Sequence, residues 1–161
     1  MAVQTRQPKL PSGFSRLMFR LPIYLYKVGL GGLLGGRFLL LNHVGRKSGQ
    51  PRQAVVEVVR HDQANDTYII ASGFGEKAQW FQNLMKTPDV MIQVGRRKLA
   101  VHARRLSPEE SGDEMADYAR RNQRAVRSLA GFMGFETDGT EAGYRALGQQ
   151  LPFVALEKRA A

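Results

Sequence analysis

The sequence predicts an α+β domain in which an antiparallel sheet or barrel carries a few flanking helices. Two observations predict it. Six short runs of β-type residues are separated by Gly-, Pro- and Asn-bearing turn signals. Most neighbouring runs are joined by connections too short for the crossover helix that parallel strands need, which leaves hairpins. A chain of 161 residues with 43% hydrophobic and 24% charged side chains makes one ordinary globular domain with a real core.

Residues 1–12 carry Pro8 and Pro11 and read as a loose arm before a single domain at 13–161. Ser12 is placed to cap a helix over 13–28, with Phe14, Leu17, Met18, Leu21, Tyr24, Leu25 and Val28 at 3–4 spacing and Pro22 kinking it. Arg16, Arg20 and Lys27 lie off that stripe. The stripe packs on the domain or, in the sharper reading, makes peripheral contact with an anionic membrane surface.

Phe38 to Val59 then reads as a strand from Leu39 to Val44, a basic turn and a second strand around Val55 to Val59. His61 to Asp66 is a polar turn, Thr67 to Ala71 a strand, and Gln79 to Lys86 a short helix ended by Thr87 and Pro88. Val90 to Val94 and Lys98 to Leu106 form a hairpin about Gly95, Arg96 and Arg97. Ser107, Pro108 and Glu110 are a capping box that starts a helix running to about Asn122. Glu141 to Gln149 is a further helix and Leu151 to Leu156 a last strand.

Composition narrows the function. With no cysteine there is no disulfide, thiolate metal site or cysteine nucleophile, and His43, His61 and His102 lack ligand-like spacing, so no metal site is expected. No signal peptide and no 18-residue apolar run is recognisable, and the reading is cytoplasmic, with membrane association as the alternative that the sharper reading of the 13–28 helix would bring. Residues 1–106 hold 17 Lys+Arg against 5 Asp+Glu, while 107–161 hold 7 against 9. That asymmetry asks for an anionic partner. Nucleic acid is disfavoured, because the cations stand at hairpin tips without interleaved aromatics.

The turn Gly45-Arg46-Lys47-Ser48-Gly49, followed by Arg52, concentrates two cations and a hydroxyl at one tip, an anion site in miniature. It is not a phosphate-binding Walker loop, because Arg46 separates Gly45 from Lys47 and a strand follows. Gly73-x-Gly75-x-x-Ala78 follows a strand and opens a helix, yet the hairpin beyond it excludes a dinucleotide fingerprint. Its glycines still let a planar ligand approach the backbone, and Lys77 adds a cation. Trp80 and Asn83 share one helix face beside this loop, either as core residues or as one wall of a ring site. No nucleophile–base set and no carboxylate pair has recognisable context, so no catalytic side chain is assigned.

Three features together resemble the deazaflavin-dependent nitroreductase family: Val44-Gly45-Arg46-Lys47-Ser48-Gly49-x-x-Arg52; Ala71-Ser72-Gly73 with Trp80-x-x-Asn83-Leu84 and Pro88; and Leu151-Pro152-Phe153-Val154. They run in order across residues 14–158. The resemblance implies a six-stranded antiparallel split β-barrel, related to FMN-binding split barrels. It implies the cofactor F420, an 8-hydroxy-5-deazaflavin with a phosphate and an oligoglutamate tail, with FMN as the alternative. It implies transfer of a hydride from the reduced deazaflavin to a hydrophobic electron-poor acceptor, a quinone, enone or nitroaromatic. By the same resemblance Arg46, Lys47, Ser48 and Arg52 hold the phosphate and tail. Val55 and the backbone of Ala71, Ser72, Gly73 and Gly75 line the ring, with Lys77, Trp80 and Asn83 nearby. The chain departs from the family at Phe74, where a second Gly is common, and at Ala78, where a Pro is common; Phe132, Phe135 and Tyr144 stand in the region of the family's pocket tyrosines. The wider family includes FMN, haem and fatty-acid binders, so the alternative function is non-catalytic flavin or fatty-acid binding. The oligomeric state is open between monomer and homodimer.

Overall fold

The computed structural model describes residues 36–73, 75–122 and 139–159. The amino-terminal arm, the 13–28 helix, Phe74 and the segment with Phe132 and Phe135 lie outside them. β1 (Phe38–Val44) and β2 (Pro51–Glu57) form the first hairpin, paired from Val44 with Pro51 to Phe38 with Glu57. Pro51 is tolerated because it opens a strand at the sheet edge, where its missing N–H breaks no ladder. β3 (Arg60–Asp62) and β4 (Thr67–Ala71) pair next, and a 3₁₀ turn at Gly75–Lys77 leads into α1 (Gln79–Lys86). β5 (Asp89–Val94) and β6 (Arg97–Arg105) turn at Gly95, whose φ of 58° suits glycine. α2 (Pro108–Arg121), α3 (Glu141–Gln149) and β7 (Phe153–Lys158) complete the described chain.

The strands make one antiparallel sheet in the order β2-β1-β5-β6-β7-β4-β3. β2 and β4 approach each other from opposite ends of that order, and Val59 N–H donates to Ile69 O at 2.8 Å, so the sheet is curled into a half-barrel. Six strands are expected from the sequence, and the described residues form seven. The addition is β3, whose residues read as polar turn but pair with Thr67 to Ile69. The second strand also starts at Pro51 rather than Val55, because the tight turn brings Pro51 into register at once. Val58 and Val59 leave the ladder, Val58 donating instead to Arg37 O.

Strand alternation divides the core in two. Leu39, Leu41, Ile70, Ile92, Val101, Val154 and Leu156 fill the inside of the curl, and Phe81 and Leu84 of α1 close one end of it. Ile69, Phe153 and Ala155 point the other way and pack with Met115, Tyr118 and Leu147 of α2 and α3. Strands β4 and β7 are therefore covered on both faces, which explains their unbroken apolar runs. α2 and α3 come close at Gly148, where a Cβ would stand 2.5 Å from Met115 Cβ and 2.6 Å from Ser111 O. The expected capping box is formed: Ser107 Oγ accepts from Glu110 N–H at 3.1 Å, and Glu110 Oε1 accepts from Ser107 N–H at 3.1 Å.

The register places the β1–β2 turn, the loop after β4, α1 and the start of β5 at the same end of the half-barrel. The second basic tip, at Gly95 and Arg96, lies at the opposite end, because β5 runs antiparallel to β1. The antiparallel order also excludes a dinucleotide crossover at Gly73 to Ala78. Among the described residues no helix is long and apolar enough to cross a membrane.

Candidate functional site

The β1–β2 turn is closed by its own backbone. Gly45 N–H donates to Gln50 O at 2.9 Å, and Gly49 N–H donates to Gly45 O at 2.8 Å. Gly49 has φ 70°, the left-handed region that favours glycine, and a Cβ on Gly45 would lie 2.5 Å from Ser48 Oγ, so a side chain there would displace that hydroxyl. Ser48 Oγ accepts from Gln50 N–H at 3.2 Å, which leaves its own hydrogen to donate outward. Lys47 N–H and Ser48 N–H donate to no protein acceptor among the described residues.

α1 then grips this turn from outside. Gln79, Asn83 and Lys86 are spaced four and three residues apart, so they form one stripe. Arg46 N–H and Arg46 Nη1 both donate to Asn83 Oδ1 at 3.0 Å, Arg46 Nη1 donates to Gln79 Oε1 at 2.8 Å, and Lys86 Nζ donates to Arg46 O at 2.8 Å. Arg46 is thereby half-buried and fixed, whereas Lys47 and Arg52 are exposed and form no ion pair among the described residues. Beneath the turn His43, alternating inward with Leu39 and Leu41, is buried, and its Nδ1 lies 2.9 Å from Asn83 Nδ2. Burial, reinforced by the Arg52 charge, pulls the His43 imidazole down to about 4, so it is neutral at neutral pH.

The loop after β4 forms the other side of the end. Ala71 pairs with Phe153, Ser72 N–H donates to Pro152 O at 2.9 Å, and Ser72 Oγ donates to Gly75 O at 2.6 Å. The Ser72 hydroxyl is turned inward and fully buried, so Ser72 serves the loop through its backbone. Gly75, at φ 73°, completes the bend with an N–H donated to Ser72 O at 3.0 Å. Lys77 is exposed; Glu76 beside it is taken by Arg105 at 2.6 Å. Trp80 packs partly on the inner core, edge-on to Phe81 at 6.2 Å.

The structure thus brings Arg46 and Asn83 into direct contact and sets Lys47, Ser48 and Arg52 around the same turn. It places Ala71, Ser72, Gly73, Gly75, Lys77 and Trp80 at the amino-terminal side of the helix that grips it. Val55 pairs with Leu40 and faces away from Arg52 across the thickness of β2. Sequence reasoning missed His43, Gln79 and Lys86. The 79/83/86 spacing was a legible signal for the last two, and the inward alternation of Leu39, Leu41 and His43 for the first.

This end can bind an anion. The turn and the start of β2 offer two cations without an ion pair among the described residues, an outward hydroxyl and two N–H groups without a described acceptor, with a third cation immobilised behind them. No hydroxyl here is bonded to a base: Ser72 donates to a backbone carbonyl and Ser48 accepts from a backbone N–H.

A family model described as F420H(2)-dependent quinone reductase matches residues 22–135 of this chain. An F420H(2)-dependent quinone reductase of Mycobacterium tuberculosis is 32% identical over 112 residues, covering 64% of this chain and 69% of that protein. A solved structure of an F420-H2 dependent reductase is similar in fold, with a TM-score of 0.51 at 21% identity, covering 75% of this chain and 94% of that one. The haem storage protein HutZ of Vibrio cholerae has a TM-score of 0.54 at 13% identity, covering 84% of this chain and 90% of that one.

Proposed function

The chain belongs to the F420H(2)-dependent quinone reductase family, and on that premise we propose that the end of the half-barrel gripped by α1 binds reduced F420 and presents it to a quinone. The protein is an F420-dependent oxidoreductase. Neither the family match nor the curated relative favours FMN or a non-catalytic carrier role.

The observation that carries the site assignment is the pair of exposed cations without an ion pair among the described residues, Lys47 on the turn and Arg52 just after it, beside a third cation that is already fixed. A phosphate with a polyanionic tail needs that combination: mobile charges to meet it and a rigid backbone to orient it. Ser48 donates its hydroxyl to the same phosphate. The backbone of Ala71, Ser72, Gly73 and Gly75 offers a planar ring a surface without a bulky side chain at Gly73 and Gly75, with Lys77 and Trp80 bordering it. When bound, the reduced deazaflavin supplies the hydride, and the residues of this chain bind and orient it. Peripheral contact of the 13–28 helix with an anionic membrane surface, where quinones dissolve, belongs to the same reading; co-sedimentation with anionic but not zwitterionic vesicles is its expected result.

Titration of the protein with F420, FMN and a long-chain fatty acid, followed by quinone reduction with reduced F420, tests the assignment. Binding of F420 with quinone-dependent return of the oxidised deazaflavin spectrum is expected. Tight binding of FMN or fatty acid with none of F420 would overturn it.

A further inference from the structure

We propose that His43 is a positioning residue for the cation turn: its Nδ1 lone pair fixes the Asn83 amide, and the amide in turn fixes Arg46. The use of this geometry for an anionic cofactor rests on the function proposed above; the role of His43 in setting it does not.

The argument begins with hydrogens. Asn83 Oδ1 accepts from two Arg46 donors, the backbone N–H and Nη1. Nδ2 must therefore face His43, and since Nδ2 can only donate there, His43 Nδ1 must accept. The imidazole is then the neutral tautomer with its proton on Nε2. Flipping the amide would set an NH₂ group against both Arg46 donors, and protonating Nδ1 would set it against Nδ2.

Burial makes these constraints matter. Asn83 is 4% exposed and His43 6%, so an Nδ2 without its acceptor has no water to turn to. Its remaining recourse is to rotate the side chain, which withdraws Oδ1 from Arg46. Gln79 and Lys86 still reach Arg46, but from more exposed positions. Charge acts in the same direction. The ionisable groups around the turn are Arg46 and Lys47 on it, Arg52 on β2 and Lys86 on α1, and no described carboxylate bonds to any of them. Burial, with the Arg52 charge beside it, keeps the imidazole neutral and its lone pair available.

The atom involved gives a sharp test. Nδ1 is two bonds from Cβ, as is the Oδ1 of an asparagine; the Oε1 of a glutamine is one bond farther. His43→Asn keeps an acceptor in place, whereas His43→Gln and His43→Leu do not. F420 dissociation constants, melting temperatures and side-chain ¹⁵N spectra are measured for the wild type, these three variants, Asn83→Leu and the His43→Leu/Asn83→Leu double variant. His43→Leu and His43→Gln are expected to weaken F420 about tenfold, with His43→Asn within about twofold of wild type. The double variant is expected to bind as Asn83→Leu does, because His43 acts only through Asn83. In the cofactor-free protein, His43 Nδ1 is expected to show the shift of an unprotonated nitrogen, and the Arg46 guanidinium signals are expected to broaden in His43→Leu and not in His43→Asn. Equal effects of Asn and Gln, or additive losses in the double variant, would overturn the proposal. If His43→Leu fails to fold, the Asn and Gln pair decides alone. If the wild type binds no F420, the function proposed above falls, and the Arg46 and His43 spectra alone decide this proposal.

Discussion

Removing the two exposed cations together, Lys47→Ala with Arg52→Ala, separates charge from scaffold at the cation turn. At about 4 Å, two unit charges attract by ~1 kcal/mol in water and ~4 kcal/mol at an effective dielectric constant of 20. Both side chains are exposed, so the lower part of that range applies. Taking about 1.5 kcal/mol per contact, the low end for hydrogen bonds to charged groups, the pair contributes about 3 kcal/mol, or roughly a hundredfold in F420 affinity. At about 1 M salt, where the screening length is ~3 Å, most of the difference between wild type and double variant disappears. Arg46→Ala is expected to behave differently. It loses the contacts to Gln79 at 2.8 Å and Asn83 at 3.0 Å, so its melting temperature falls along with its affinity, and salt does not mask the loss. Fluorescence titration with F420 at low and high salt, beside circular-dichroism melts, reads all of this. An unchanged dissociation constant for the double variant at low salt would remove the turn from the binding site. A loss equal at both salt levels with a lowered melting temperature would mean that Lys47 and Arg52 are scaffold instead.

Two further outcomes test the framework behind the site. Gly148→Ala forces a Cβ to 2.5 Å from Met115 Cβ and 2.6 Å from Ser111 O, so α2 and α3 must part; a loss of about 1–3 kcal/mol in urea unfolding is expected, with F420 affinity retained. Tyr118 donates to Glu57 Oε1 at 2.9 Å, and burial together with that carboxylate pushes its phenol up to about 12. The unfolded chain ionises this group first, near pH 10, so its contribution is whole below pH 10 and is lost as pH rises towards 12. The phenolate difference spectrum between wild type and Tyr118→Phe should show its midpoint near 12; a midpoint near 10 would mean that the phenol is neither buried nor held by Glu57.

Local chemistry was legible wherever a residue's neighbours in the chain decide its state. The bounds of α1, the Ser107 capping box, the Gly45 to Gly49 turn and the α3 span all follow from spacing and caps, and the structure repeats them. β3 was not legible, because Arg60, His61 and Asp62 have no apolar alternation; they are extended only because β4 offers them a ladder. The same limit holds at the site. Lys47 and Arg52 announce an anion site from the turn itself. That Arg46 is not one of its free charges depends on Asn83, 37 residues away, and no local pattern carries that pairing. For His43 the alternation with Leu39 and Leu41 tells only that the side chain turns inward; its role depends on Asn83, 40 residues away.

The cation turn has no existence apart from the closed half-barrel. Its fixed arginine is held by a helix reached only after β2, β3 and β4 have been laid down, so the unfolded chain retains the charges but not their arrangement. A ligand that reads the arrangement binds the native state alone and stabilises it by mass action, about 2.7 kcal/mol at a hundredfold excess over its dissociation constant. For a domain of this size a gain of that order is a large share of the whole folding free energy, and it lowers the unfolded fraction open to proteases in proportion. The cellular lifetime of this protein is therefore expected to follow the supply of its cofactor, so that a cell short of F420 would lose the enzyme as well as its reductant.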